Sequence, residues 1–146
     1  METNLTKYQK DIDTLIERGA KLYDGLIYEL RDDLGDTYKQ IPKSRRAEME
    51  KCEFKREYNS WYNESIALIK QLIPERLDDF QSYYKREKRK EITYETYTIS
   101  DYLIGYQTSR FGEVIVSRTY AIYKYEQQYY IVRSLKDRFA SSLYEI

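Results

Sequence analysis

The stretch FKREYNSWYNESIALIKQLI, residues 54–73, carries the clearest periodic signal in the chain. Its apolar and small side chains recur at alternating steps of four and three residues, the spacing of one face of an α-helix. The members of this face are Phe54, Tyr58, Trp61, Ser65, Leu68 and Leu72. The pattern predicts a long helix from about residue 44 to 73 that packs against other helices.

The same spacing extends toward the N-terminus and predicts a first helix over residues 4–34, with Gly35 placed to end it. Gly19 falls where the apolar face expects a large side chain, so we expect a close helix crossing or a bend there. On the other side, Pro74 either kinks the helix of residues 44–73 or opens a third helix at its first turn.

The C-terminal third contains two helices and an ambiguous segment. Thr98 and Asp101 have the spacing of a capping box and Gly105 is a stop signal, which predicts a short helix over residues 98–105. FGEVIVS, residues 111–117, favours a strand, although an isolated strand has no obvious partner. The helical period then runs from about 118 to 146 without a stop signal, so we expect the chain to be the N-terminal part of a longer protein.

These helices define the expected fold class. The 146 residues include only 5 Gly and 2 Pro, so few positions demand a sharp break. We predict a single all-α domain over residues 1–146, an elongated antiparallel bundle of about four to five helices with a long C-terminal helix. No stretch approaches the roughly 18 apolar residues of a membrane span, and we expect a cytoplasmic protein without a membrane partner.

Composition argues against most catalytic chemistry. The chain has no histidine, which removes Ser-His and Cys-His nucleophile pairs, histidine bases and the usual zinc sites. Cys52 is the only cysteine; the neighbouring Lys51 and Lys55 favour a somewhat lowered pKa, Glu53 opposes them, and we interpret the thiol as inert. The acidic pairs at 32–33 and 78–79 diverge on a helix and indicate surface charge. We expect no enzyme activity, catalytic residues, metal or cofactor.

One segment is a candidate nucleic-acid site. Its cations can neutralise phosphates and its tyrosines can stack on bases; its members are Tyr83, Tyr84, Lys85, Arg86, Lys88, Arg89 and Lys90. The same residues also fit a helix C-terminus followed by a solvated loop. Net charge is zero overall, and residues 43–90 hold 13 basic and 9 acidic groups, so only this third leans basic. Both interpretations remain open.

A second set of residues is a candidate protein interface. It combines the aromatic face around Trp61 with the last helix, and consists of Tyr58, Trp61, Tyr62, Phe139, Leu143 and Ile146. At helical spacing, such residues are typical of a core or of a helix–helix interface. We expect a protein partner or self-association through them.

Three phrases carry a family resemblance: WYNESIALIKQLIPERLDDFQSYYK, RKEITYETYTISDYLIG and QQYYIVRSLKDRFASSLYEI. Together they resemble the N-terminal half of a bacterial family of two-part proteins whose C-terminal half resembles a HEPN domain, the helical fold of many toxin and antiphage ribonucleases. The likeness spans about residues 54–146. It implies a non-catalytic interaction, regulatory or oligomerisation domain that positions a ribonuclease module. HEPN ribonucleases use an arginine followed by a histidine, so none of their catalytic residues can be placed on this chain.

Overall fold

The computed structural model describes the backbone of residues 4–140 and the side chains of residues 6–139. Within these residues, most of the chain is helical and one two-stranded sheet is present, which agrees with the all-α class. The helices are more numerous than expected, because several are single turns. The bounds are α1 Asn4–Glu29, α2 Arg31–Leu34, α3 Asp36–Lys39, α4 Lys43–Met49, α5 Phe54–Leu72, a 3-10 turn Pro74–Arg76, α6 Leu77–Tyr84, α7 Ile99–Leu103, β1 Thr108–Arg110, β2 Glu113–Val116 and α8 Tyr120–Ala140.

The three long helices α1, α5 and α8 build the core. Near the start of α1, the Tyr8 hydroxyl donates to the amide oxygen of Gln71, close to the end of α5 (2.6 Å). At the other end of α1, the Glu29 carboxylate accepts from the backbone N–H of Lys55 in the first turn of α5 (3.2 Å). These two contacts show that α5 runs antiparallel to α1.

The expected close crossing at Gly19 is confirmed. A Cβ at Gly19 would lie 2.7 Å from a ring carbon of Tyr129 and 3.2 Å from the indole nitrogen of Trp61. The Trp61 indole N–H donates to the carbonyl of Leu15 (2.9 Å), and the Tyr125 hydroxyl donates to the carbonyl of Gly19 (2.7 Å). Three helices therefore meet where only glycine leaves enough room.

The predicted single helix over residues 44–73 is wrong, because it is divided into α4 and α5 at residues 50–53. This break contains neither glycine nor proline. It crosses α1 so closely that a Cβ at Gly25 would lie 2.5 Å from the carbonyl oxygen of Cys52. Glu29 then supplies the polar cap that the N-terminus of α5 lacks, since no side-chain cap is present at Glu53. The tertiary contact, and not a local breaker, ends the helix.

Other local predictions are confirmed. Gly35 has φ +56° and follows α2, although the helical segment is interrupted at Leu30 instead of running unbroken from 4 to 34. Pro74 opens the 3-10 turn that leads into α6, as expected for a proline in a first turn. The predicted helix over residues 98–105 is present as α7. The extension of the last helix to residue 146 lies outside the described residues.

The ambiguous segment at 111–117 forms half of a β-hairpin. Its partner is β1, and the two strands pair antiparallel with Arg110 opposite Glu113. Phe111 and Gly112 form the turn with φ +54° and +82°, and positive φ at both positions is typical of the type I′ turn that suits a two-residue hairpin. The strand that these residues favour is therefore present, and β1 is the partner that the sequence did not reveal.

Candidate functional site

The basic segment of residues 85–90 begins where α6 ends, and its six charged residues have two different roles. Arg89 points inward and forms a two-pronged contact with Asp101 of α7, with nitrogen–oxygen distances of 2.5 and 3.1 Å. It also donates to the carbonyl of Thr96 (3.0 Å). Arg89 therefore joins the loop to α7, and its charge is neutralised by Asp101, so it is less available to a phosphate than the exposed cations of the segment.

Asp101 is the acceptor for this contact and also completes the predicted capping box. Its carboxylate accepts from the backbone N–H of Thr98 (2.8 Å), and its own N–H donates to the Thr98 hydroxyl (3.3 Å). Burial alone would raise the pKa of Asp101, but the hydrogen bonds from Arg89 and Thr98 outweigh burial and hold the pKa below its ordinary value. The cluster stabilises the loop between α6 and α7.

Replacing Arg89 by methionine is expected to lower the free energy of unfolding by about 2 kcal/mol at pH 7, because the largely buried Asp101 loses its cation. Asp101 has a lower pKa in the folded chain than in the unfolded chain, where the value is about 3.9. Its ionised form therefore stabilises the folded state fully above pH 3.9, and this stabilisation disappears as the pH falls through the folded-state pKa. The cost of Arg89→Met should therefore be smaller at pH 3 than at pH 7. Urea unfolding at the two pH values measures both effects.

Lys90→Met is the matched control, since Lys90 is exposed and forms no ion pair among residues 4–140. Its cost should be within about 0.5 kcal/mol of zero. Equal costs for the two variants would show that the Arg89 contact contributes nothing specific.

The other cations of the segment face solvent. Lys85, Arg86, Lys88 and Lys90 are exposed, and none of them has an ion pair within the described residues. Tyr84, in contrast, is packed inward against Tyr62, with ring centroids 4.4 Å apart. Four of the predicted phosphate contacts thus stay accessible, whereas Arg89 and Tyr84 are removed from the candidate site.

Two tyrosines that lie outside the predicted set complete an aromatic surface beside these cations. Tyr94 and Tyr123 are 47% and 41% exposed, and their ring centroids lie 5.7 Å apart. The ammonium of the buried Lys124 lies 5.4 Å from the first ring centroid and 5.5 Å from the second, and it donates to the carbonyl of Glu95 (2.9 Å). Lys124 therefore supports both rings from the protein side.

Helix α6 packs against the same helix that carries Tyr123, since the side-chain amide of Gln128 on α8 donates to the carbonyl of Phe80 on α6 (2.9 Å). Burial and the neighbouring Arg86 guanidinium lower the pKa of Lys124, while burial and the neighbouring Tyr123 raise the pKa of Tyr83. Sequence reasoning missed Tyr123 and Lys124. The available signal was that Tyr123 stands outside the apolar face of the last helix, which indicates an exposed ring.

The candidate protein interface is corrected by the fold. Tyr58, Trp61 and Tyr62 are buried, because the face of α5 that carries them meets α1, α6 and α8. Phe139 is also buried and packs against Tyr8, with ring centroids 6.4 Å apart. None of these four side chains is available to a partner on the folded chain. Leu143 and Ile146 lie outside the described residues.

The large exposed apolar side chains are concentrated instead near the hairpin. Phe111 at its tip is 95% exposed and Ile104 just before it is 78% exposed, while Val114 and Ile115 are about half exposed. The Arg110 guanidinium lies 5.7 Å from the Phe111 ring centroid. We call Ile104, Phe111, Val114 and Ile115 the hairpin surface. Sequence reasoning did not single out any of these residues as a contact.

Cys52 has none of the properties of a nucleophile. Burial, followed by its hydrogen bond to Glu57 (3.4 Å), raises the pKa of the thiol to about 12, opposite to the lowering expected from Lys51 and Lys55. Within residues 4–140, no group of three or more acidic, cysteine or histidine residues is arranged to hold a metal ion. In the same range, no helix combines the length and apolar character needed to cross a membrane.

The hairpin surface and the aromatic surface meet at Tyr120. Its ring packs edge-on against Tyr94, with centroids 4.9 Å apart, and its hydroxyl donates to the carbonyl of Ile115 (3.1 Å). Models of protein families, curated proteins and solved structures were compared with the chain, and none of them matches it. The hairpin surface and the aromatic surface are therefore the two candidate binding regions of the described residues.

Proposed function

We propose that the chain is a non-catalytic assembly domain in which two copies associate through the hairpin surface. The observation that carries the proposal is the exposure of four large apolar side chains around one hairpin, with Phe111 95% exposed. Large apolar side chains that are exposed close together on a protein are typical of interaction sites. Because the chain has no histidine, histidine-based catalysis is absent, and the proposal assigns the domain no reaction.

Charge supports a second copy as the occupant of this surface. Arg110 and Glu113 face each other across the hairpin next to the turn, so the surface carries one charge of each sign. A two-fold related copy presents its Glu113 to Arg110 and its Arg110 to Glu113, which makes the contact self-complementary. The net charge of zero also removes long-range repulsion between copies.

Assembly gives the domain a role in a larger protein. The resemblance to HEPN-associated proteins implies a helical domain that positions or oligomerises a ribonuclease module of a bacterial defence or toxin protein. Pairing through the hairpin brings two such modules to the same place. In this proposal the contact is the hairpin surface, and the buried face around Trp61 is the core that carries it.

Sedimentation velocity over a wide range of protein concentrations tests the proposal. We expect a reversible dimer with a dissociation constant on the order of 10 µM, because an interface built on one hairpin is small. Phe111→Asn should weaken it at least tenfold, since burying a phenylalanine side chain contributes about 1.5–3 kcal/mol. Asparagine also suits the positive φ and creates an Asn-Gly turn, so the hairpin itself is preserved.

Tyr130→Asn is the control, because Tyr130 is a half-exposed aromatic residue on α8, away from the hairpin. It should leave the dimer unchanged. A chain that stays monomeric at every concentration, or a Phe111→Asn variant that dimerises as well as the natural chain, would contradict the proposal.

A further inference from the structure

The aromatic surface has the shape of a stacking platform. Tyr94 and Tyr123 are both nearly half exposed, while Lys124 lies against both rings and Tyr120 packs edge-on against Tyr94. The rings are therefore held in place before any ligand arrives, which lowers the entropy lost on binding. Phenol rings held in this way can stack on flat aromatic groups, and every nucleobase presents such a face.

Cations border the platform on one side. Lys90 lines the same surface cavity as Tyr94, and Lys85, Arg86 and Lys88 precede it in the same loop without ion pairs among the described residues. The loop also contains three exposed acidic residues, Glu87, Glu91 and Glu95. The excess of positive charge is consequently small. This small excess of positive charge is enough for a few phosphate contacts, whereas proteins that bind a duplex tightly make many such contacts.

We propose that Tyr94 and Tyr123, together with the cations Arg86 and Lys90, form a binding site for single-stranded nucleic acid. Bases stack on the two tyrosines and the phosphates between them contact the loop cations. Single strands are favoured over duplexes because the bases of a duplex are already stacked on each other and do not expose their faces.

The site differs from the one that the basic segment alone suggests. Arg89 is held by Asp101 and Tyr84 is packed on Tyr62, so neither of them contacts the ligand. Tyr94 and Tyr123 replace them. The inference is independent of dimerisation through the hairpin, because a monomer carries the complete site.

Fluorescence anisotropy with labelled oligo(U) and oligo(dT) of about 12 nucleotides tests the site, and a labelled RNA duplex of the same length tests its preference for single strands. We expect oligo(U) to bind with a dissociation constant on the order of 10 µM at low salt and the duplex to bind more weakly. Tyr94→Leu and Tyr123→Leu should each weaken oligo(U) binding about tenfold, whereas Tyr94→Phe, which keeps the ring, should not. Equal binding of oligo(dT) assigns the site to bases and phosphates; preference for oligo(U) adds a contact to the 2′-hydroxyl.

Charge is tested separately. Arg86→Gln combined with Lys90→Gln should weaken binding and reduce the slope of log affinity against log salt by about 1.4, since each phosphate contact to a single strand contributes about 0.7. The controls are Tyr130→Leu for an exposed ring elsewhere and Lys39→Gln combined with Lys70→Gln for two exposed cations elsewhere. Both should bind like the natural chain.

Three results overturn the inference. They are no binding of either oligonucleotide, binding that the leucine variants leave unchanged while they stay folded, and binding of the duplex at least as tight as that of oligo(U). The first result assigns the exposed tyrosines to a protein contact. Circular dichroism of each variant establishes that it is folded, and the two leucine variants at separate positions guard against a local packing defect at one of them.

Discussion

Trp61→Ala is expected to lower the free energy of unfolding by about 4 kcal/mol, which corresponds to a fall in Tm on the order of 10 °C. The side chain is fully buried. The centroid of its ring lies 5.2 Å from the ring centroid of Tyr125 and 6.0 Å from the ring centroid of Phe80. Removing it leaves a cavity where α1, α5 and α8 meet at Gly19, and this crowded crossing cannot collapse to fill it. Chemical denaturation measures the change.

Trp61→Phe separates packing from hydrogen bonding. It keeps an aromatic ring at the crossing but loses the bond from the indole to the carbonyl of Leu15, so we expect an intermediate cost of about 2 kcal/mol. Neither variant should change the dissociation constant of the dimer under conditions where the protein is folded. A loss below about 1 kcal/mol for Trp61→Ala, or a specific loss of association, would support the original interpretation of Trp61 as an interface residue.

Alkaline pH is expected to unfold the protein cooperatively between about pH 11 and 12. Burial raises the pKa of Tyr58 and Tyr125 well above the ordinary value, and raises that of Tyr23 and Tyr62 to about 12. In the unfolded chain these phenols ionise near pH 10. Between the two values the folded state binds more protons than the unfolded state, so stability falls as pH rises.

The slope of this loss is large. Each buried tyrosine contributes about 1.4 kcal/mol per pH unit, so Tyr58 and Tyr125 alone contribute about 3 kcal/mol per unit against a typical total stability of about 10 kcal/mol. Tyr97 and Tyr102 add to it, because burial raises their pKa values as well. Phenolate absorbance and helical circular dichroism, followed in the same titration, should change together.

Tyr125→Phe is the matched variant for the alkaline titration. It removes one titrating group while keeping the ring, and the carbonyl of Gly19 retains its place in the backbone bonding of α1. The dependence of unfolding free energy on pH above 10 should become shallower by about 1.4 kcal/mol per unit. Gradual ionisation of the tyrosines near pH 10 with the helices intact would contradict the prediction.

Sequence reasoning succeeded where the deciding contacts lie within a few residues. The capping box of Thr98 and Asp101, the first-turn position of Pro74 and the stop at Gly35 depend on spacing of four residues or fewer. Gly19 was also interpreted correctly, because an unfilled position in an otherwise regular apolar face indicates a close neighbour. These features follow from the geometry of a single helix.

The candidate site was only partly predictable. The exposed cations of residues 85–90 were identified, but Arg89 was assigned to the ligand although its partner Asp101 lies 12 positions further along the chain. Tyr123 and Lys124 belong to α8 and reach Tyr94 only after the chain has reversed through α7 and the hairpin. Periodicity along one helix contains no information about which distant loop will cover it.

The amino-acid sequence by itself determined that this protein is built from amphipathic helices, where its locally encoded caps and stops lie, and that histidine chemistry is absent. Only the tertiary structure decided which aromatic residues are covered and which remain exposed. Trp61 and Tyr123 are both aromatic residues on long helices, yet the first is buried by three neighbours and the second faces solvent. The physical reason is that burial depends on how several faces pack together at once, whereas helix formation and capping depend on neighbours along the chain.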